Sequence, residues 1–371
     1  MGEERNETAA DLRRYWSVMT ELGRAAPQSG LADIGEALEA AGPWPEDLRK
    51  SPVIIDTDIG GDADDALAVA VAARQVPELA VVITGDEVRG ERARFARHLL
   101  DLLHRDDVVT VSGASLGQSR YFCVDGLVPD SVPVQRSEVV AAVRKVCEAT
   151  DGPVRWVGMA PLTNLARVLE DAPELAPRLR VTQMGGALRY RDPDAAEHNI
   201  RLDVESARQV LDAVAGGLLP TPEFVASEVT FTPRIEVTAD SALYQWLGTL
   251  RPGSWERLLA DHLDRWFTGF YPGSMQHDAL ALSAALDLPF VDSDVLNIEM
   301  DSIGRTTEAP QDRGAKVRWS LSADYDAFMR WVSAALMRPE GDAAATRAKR
   351  AAGPNRRHNF AQEGAAVEES E

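Results

Sequence analysis

Two cysteines in 371 residues, Cys123 and Cys147, lacking any CxxC spacing, exclude a disulfide framework and a structural zinc site. Both read as reduced thiols. Long apolar runs are missing as well: no uncharged stretch reaches the roughly eighteen residues that a membrane-spanning helix needs. The opening residues, Met1-Gly2-Glu3-Glu4-Arg5-Asn6-Glu7, are polar and lead into no apolar signal core, so a soluble, cytoplasmic protein with no membrane partner is expected. Positive charge is scarce. Against 59 acidic residues stand 39 basic ones, a formal net charge of -20, which repels a phosphate backbone and argues against nucleic-acid polymers as partners. Small uncharged or cationic ligands remain accessible. Lysine is especially sparse, confined to Lys50, Lys145, Lys316 and Lys349.

What the chain does have is acid in one place. Val53-Ile54-Ile55 is a short apolar run of the kind that forms a buried strand, and the alanine-rich segment from Asp64 onward has the composition of a helix. Between and around them lie Asp56, Asp58, Asp62, Asp64 and Asp65. Capping and the helix dipole favour one or two aspartates at a helix start, hardly five. Carboxylates this close raise one another's pKa unless a cation or donated hydrogen bonds keep them ionised, and a hard divalent cation with oxygen ligands is the simplest answer. An EF-hand loop is excluded because the twelfth position from Asp56 is Leu67 and the segment is entered from a strand.

The rest of the chain alternates strands and helices. Residues 1–50 read as a helical extension, with Leu12, Trp16, Met19 and Leu22 at helical spacing and Pro43-Trp44-Pro45 as a break. Strands are expected at 79–84, 108–112, 154–158 and 179–184, separated by helices near 90–104 and 137–149. A helix at 204–214, an aromatic helical stretch at 241–271, a helix opening at Gln276, strands at 295–300 and 316–321 and a helix at 324–337 follow. This order predicts an α/β fold with an open, mostly parallel central sheet flanked by helices, spanning 51–339. Ligands then belong at the carboxyl ends of the strands, where Asp58, Asp86 and Met159 would lie. Residues 340–371 lack large apolar side chains and read as a disordered tail with a basic cluster.

Taken in order, Asp56-Thr57-Asp58, Ala160-Pro161-Leu162-Thr163-Asn164, Met184-Gly185-Gly186, Ala196-Glu197-His198-Asn199 and His277-Asp278-Ala279 resemble the pattern of the inosine-uridine preferring nucleoside hydrolase family over about residues 52–335. The resemblance implies calcium-dependent hydrolysis of the N-ribosidic bond of a nucleoside or related N-riboside, in purine or pyrimidine metabolism, by a homo-oligomer (dimer or tetramer). It implies Asp58, Asp65, Asp278 and the Met159 carbonyl as calcium ligands, Asp58 also serving as general base. Asp64, Glu197 and Asn199 would face the ribose, and Asp86 joins the substrate site. His277 would be the acid for the departing base, on which Trp266 or a neighbouring aromatic stacks. Such chemistry suits the residues, since an oxocarbenium-like state needs an activated water on one face and help for the leaving group.

Several positions depart from the family's commonest form. Two more residues separate Asp58 from Asp64-Asp65, so that Asp62 competes with Asp64 for the sugar; Ile59 replaces a proline; Gly85-Asp86 stands where many members have Gly-Asn; and His198 replaces an aromatic residue. Two rival readings remain. One is a haloacid-dehalogenase-type phosphatase with Asp56 as nucleophile, against which stands the want of a lysine after a later strand. The other is a calcium-dependent nucleoside- or ribose-binding protein without turnover.

Overall fold

The computed structural model describes residues 9–40, 48 and 50–338. The expected proline break at residues 43–45 and the expected disordered tail at 340–371 lie outside the described residues.

The chain opens with a helical hairpin, α1 (Ala9–Ala25) and α2 (Gly30–Ala40). Gly23 and Gly35 face each other at its crossing, where a Cβ on Gly23 would stand 2.6 Å from the Leu31 carbonyl oxygen. Leu22, expected as part of a packing stripe, is instead 45% exposed, and Val18 is 46% exposed.

Eleven strands follow: β1 (Val53–Thr57), β2 (Leu79–Thr84), β3 (Val109–Ser112), β4 (Val154–Gly158), β5 (Leu179–Met184), β6 (Glu223–Val225), β7 (Glu236–Thr238), β8 (Gly273–Met275), β9 (Val291–Met300), β10 (Thr306–Glu308) and β11 (Ala315–Ala323). Nine form one sheet in the order β10-β9-β11-β6-β5-β4-β1-β2-β3, while β7 and β8 pair separately. From β3 through β6 to β11 every pairing is parallel, and β9 and β10 add an antiparallel edge. The mostly parallel central sheet agrees with the sequence expectation. The short strands β6, β7, β8 and β10 were not anticipated, because three residues carry no readable alternation.

Strand order reverses at β1. From there the chain winds outward through β2 to β3, then returns to β4 on the other side and winds outward again to β6. Such a switch point leaves a crevice beyond the carboxyl ends of β1 and β4, because the crossover connections depart in opposite directions. Backbone bonds extend both neighbours past the strand ends, with Met159 N donating to Asp56 O at 2.7 Å and Gly85 N to Thr57 O at 2.8 Å.

Helices cover both faces: α3 (Asp64–Gln75), α4 (Glu91–Leu102), α5 (Val139–Glu148), α6 (Thr163–Asp171), α7 (His198–Leu202), α8 (Val204–Ala215), α9 (Ser227–Thr230), α10 (Ala242–Gly248), α11 (Trp255–Gly269), α12 (His277–Ala285) and α13 (Tyr325–Met337). One core contains Ile55, Leu67, Val71, Leu280 and Leu282; the other contains Ile54, Trp156, Leu165 and Trp319. Every residue of α3 is buried. Its alanines explain how: small side chains all round let a helix sit between the sheet and further helices with no polar face, and α12 packs against it. The aromatic stretch expected as one helical run is two helices, α10 and α11, divided at a Pro252-Gly253 turn where Gly253 has φ +81°.

Arg105, 4% exposed, ties the far end of α3 to β2 by donating to the carbonyls of Ala73, Val76 and Leu79 at 2.9, 3.2 and 3.1 Å. Asp107 neutralises it at 2.8 Å. Replacing Arg105 with Met should leave buried acceptors unpaired and lower folding stability by about 3 kcal/mol in urea denaturation. A loss below about 0.5 kcal/mol, the size of an ordinary surface change, would show that the clamp carries no stability.

Candidate active site

The loop from Asp58 to Ala63 turns the chain from β1 into α3. Thr57 Oγ1 donates to the Asp65 carboxylate and accepts from Ile59 N at 3.2 Å, while Asp62 Oδ1 accepts from Ala63 N at 2.7 Å. Gly60 has φ +103°, and a Cβ there would meet Val124 Cγ2 at 2.9 Å, so this turn admits only glycine without movement. The two additional residues are fastened from distant parts of the chain. Cys123 N donates to Gly60 O at 2.9 Å, and Gly61 O accepts from Cys123 Sγ at 3.2 Å and faces His262 Nε2 at 3.0 Å. Arg92, from α4, donates to the carbonyls of Asp58 and Ile59 and lies 3.7 Å from the Asp86 carboxylate.

Asp86 itself has φ +43°, a left-handed backbone that Asp tolerates better than most side chains. The carboxylate standing where an amide is commoner therefore has a partner, the Arg92 guanidinium. Across the crevice, Asn199 Nδ2 donates to the carbonyls of Met159 and Met184, both at 3.2 Å. Glu197 caps α7, accepting from Ile200 N at 3.3 Å, and it also accepts from Gly186 N at 3.1 Å.

These groups enclose a cavity of about 510 Å³. Asp58, Asp62, Asp64, Asp65, Asp86, Met159, Glu197, Asn199, Trp266, His277 and Asp278 all line it. Sequence distance is no guide to this gathering, since Asp65 and Asp278 come from helices more than two hundred residues apart yet packed side by side. Asp64 and Asp65 begin α3 and Asp278 begins α12, so two helix N-termini converge on the same point. Oxygen atoms of Asp64, Asp65 and Asp278 lie within 4.8 Å of one another, and the three residues are 3, 5 and 4% exposed.

Burial first, and then the neighbouring carboxylates, push all three well above the usual carboxylate range. Burial also raises Asp58, against the opposing pull of Arg92, and brings Asp62 to about 7. Three buried carboxylates with oxygens this close make a donor set for a hard divalent cation. The grouping differs from the sequence expectation in two respects: Asp64, assigned there to the sugar, stands inside the metal-sized cluster, and Asp58, assigned there to the metal, is not one of its three members but lies beside Asp65.

Asp56 behaves otherwise. It is 1% exposed, accepts from Asn164 Nδ2 at 2.8 Å, is pushed by burial to about 8 and does not line the cavity. Its carboxylate braces the sheet to α6 and is not presented as a nucleophile.

The upper wall is aromatic. Trp266 donates from Nε1 to Gly273 O at 3.0 Å, stacks on Phe270 at 5.0 Å and meets Tyr121 edge-on at 6.1 Å. His277 lies parallel to Phe231 at 6.3 Å. His277, expected as the acid for the departing base, lines the cavity, and burial, followed by the Arg191 charge, pushes it down from 6.5 to about 4. Tyr121, Phe231, Arg92 and Arg191 escaped the sequence reading because they sit on loops and a helix with no motif. The stretches 118–122 and 189–191 are dense in arginine and aromatics, but nothing in them marks which side chain faces the crevice.

The match to family models decides the affiliation: residues 53–330 fit the inosine-uridine preferring nucleoside hydrolase model. The chain belongs to that family. Within it, the pyrimidine-specific ribonucleoside hydrolase RihA of Shewanella sp. (strain ANA-3) is 33% identical over 171 residues, 42% of this chain and 54% of that protein. RihA of Enterobacter sp. (strain 638) is 30% identical over 181 residues, 44% of this chain and 56% of that protein. The chain thus spans about half the length of these curated relatives. A plant nucleoside hydrolase, PpNRh1, shares the fold with a TM-score of 0.64 at 22% identity, covering 78% of this chain and 100% of that one. A purine-preferring ribonucleoside hydrolase from Gardnerella vaginalis does so with 0.64 at 23%, covering 80% and 100%.

In this family member the loop anchor His262 is itself a titration probe. It is 0% exposed, its Nδ1 has no partner among the described residues, and burial lowers it from 6.5 to about 4. A depressed folded-state pKa contributes stability that is present above the unfolded value and is lost as pH falls through the window from about 6.5 to about 4. Wild-type protein should therefore lose on the order of 3 kcal/mol relative to His262→Gln across that window. Parallel pH profiles would mean that the imidazole ionises freely in the folded protein.

Proposed function

We propose that the chain hydrolyses the N-glycosidic bond of a ribonucleoside or related N-riboside with the help of a divalent cation, calcium by preference. The observation that carries this reading is the buried triad of Asp64, Asp65 and Asp278 on the floor of a cavity with aromatic walls. Together with Asp58 and the Met159 carbonyl, the triad would hold the ion. When bound, such an ion supplies a field that orients the ribose hydroxyls and makes a nearby water easier to deprotonate.

The protein's own groups do the rest. Asp58 accepts a proton from the attacking water, a role that suits a buried carboxylate whose pKa burial raises. The carboxylates on the floor favour the positive charge that develops on the ribose ring as the bond breaks. Glu197 and Asn199 orient the sugar, and their bonds to Gly186, Met159 and Met184 fix their rotamers before substrate arrives. Trp266 and Tyr121 offer ring faces and edges to a planar base, and the wall excludes water from the leaving group. His277, neutral, is suited to hydrogen-bonding the base, not to giving it a full proton from an imidazolium. Relatives named for pyrimidines and for purines are both similar to this chain, so the family alone does not fix the base.

Neither rival has comparable support. A phosphatase would need Asp56 in the cavity, and its carboxylate is committed to Asn164. A binding protein without turnover would take up nucleoside and release no sugar, which the assay below separates from hydrolysis.

Release of reducing sugar from a nucleoside panel, with and without chelator, tests the reading. Activity should vanish with chelator and return with calcium, and Asp58→Asn should lower kcat by about 10²–10⁴. Turnover that survives both treatments would remove the cation and Asp58 from the reaction. Calcium should also raise the Tm of chelator-stripped protein, through selective binding to the folded state. Asp278→Asn should abolish that rise; an undiminished rise in the variant would place the ion elsewhere.

A further inference from the structure

The floor of the cavity is acidic and its rim is basic. Arg120, Arg191 and Arg201 line it and are exposed. Among the described residues none of the three is paired with a carboxylate. The Arg120 guanidinium lies 5.1 Å from the Tyr121 ring centre, and that of Arg191 lies 4.3 Å from Phe231 and 4.5 Å from Tyr190. Arg201 donates to the Tyr190 hydroxyl at 3.2 Å and the Ala196 carbonyl at 3.3 Å, and it faces His198 Nδ1 at 3.0 Å.

Some arginines away from this rim pair with carboxylates, Arg94 with Glu91, Arg257 with Asp261 and Arg313 with Glu299, while others such as Arg178 and Arg208 donate to backbone carbonyls. At this one opening, among the described residues, three guanidinium groups gather without an ion-paired carboxylate, the Arg201 charge also acting on Glu197. Rings beneath a guanidinium fix its plane while leaving its N–H edges open, which is the geometry for accepting an oxyanion. Arg191 is also linked to the reacting end, because its Phe231 partner stacks on His277 next to Asp278.

We propose that the rim recognises an oxyanion carried by the substrate, so that the preferred N-riboside bears a carboxylate or a phosphate. This rests on the hydrolase reading, which puts the ribose at the acidic floor and leaves the anionic substituent to the rim. The negative charge of the whole chain disfavours anionic polymers, whereas a small anion that reaches the opening meets a local field of the opposite sign.

The test has two arms. In the first, kcat/KM is compared for uridine, for orotidine with its carboxylate on the base, and for uridine 5′-monophosphate with its phosphate on the sugar. One of the anionic substrates should exceed uridine by about tenfold, a modest figure because each exposed contact is screened. The winner identifies which end of the riboside reaches the rim. Arg191→Gln combined with Arg120→Gln should shrink the ratio toward one, whereas Arg313→Gln, which removes a charge from the pair with Glu299, should not. Uridine equal to or better than both anionic substrates, with a ratio insensitive to the rim variants, would overturn the proposal.

The second arm needs no turnover. Titration calorimetry of orotate against uracil, and of ribose 5-phosphate against ribose, should find tighter binding of one anionic probe, weakened by salt and by the rim variants. If no riboside is hydrolysed, the hydrolase reading fails and this arm alone decides the rim. Anionic probes binding no tighter than their neutral counterparts would overturn it there.

Discussion

Repulsion among buried carboxylates is the constraint around which this site is built. At about 5 Å and an effective dielectric constant of about 20, two such charges oppose each other by roughly 3 kcal/mol, and Asp64, Asp65 and Asp278 form three such pairs. The N-termini of α3 and α12 point at the cluster, yet each contributes only about 0.3–1 kcal/mol to a nearby carboxylate. Thr57 adds one hydrogen bond. These sums leave protonation or a bound cation as the ways to hold the cluster together. Protonation would cancel the negative floor that the proposed stabilisation of a cationic ribose needs, so the proposed chemistry and the electrostatics of the cluster favour the same ion.

Placing three acids there demands scaffolding that is itself buried. An alanine-rich α3 can lie between sheet and helices, and α12, equally apolar, can lie against it, so that both helix starts open into the crevice at the switch point of the sheet. Arg92 then serves two purposes. It holds the carbonyls of the acidic loop, and its charge opposes the rise in pKa of Asp58, Asp65 and Asp86 without entering the triad. A cation fixed to the loop backbone steadies the site while leaving the carboxylate oxygens for a ligand.

How much of this was legible depended on the range of the interaction. The parallel sheet and the acidic turn were readable because they follow local periodicity and composition: Val53 to Ile55 is apolar and short, and α3 is rich in alanine. Asp278 and Glu197 were reachable only through resemblance, since nothing within their own segments announces a ligand. Tyr121, His262 and Arg191 were out of reach. Each acts across the fold, His262 on Gly61 and Arg191 on Phe231, and a single chain carries no local signal for such pairs. The lowering of the His277 pKa is out of reach for the same reason, because burial and the Arg191 charge are properties of the assembled wall.

The two residues that lengthen the loop after Asp58 show how a departure from a family pattern can be absorbed without loss of the site. Longer loops close at little extra entropic cost, so the danger of such an insertion is misplacement of the acids that follow it, not instability. Here Gly60 and Gly61 each have their carbonyl taken, by Cys123 and by Cys123 with His262, and Arg92 holds the carbonyls of Asp58 and Ile59 just before them. Four consecutive carbonyls are thereby bound to side chains or backbone from three separate segments. The loop has no freedom to carry Asp64 and Asp65 away from Asp278. Its path also brings Asp62 to the cavity wall, which adds a carboxylate, raised to about 7, to the floor facing the rim. A cavity with opposite charge at its two ends orients a dipolar substrate before any specific contact forms, and the insertion sharpens that polarity.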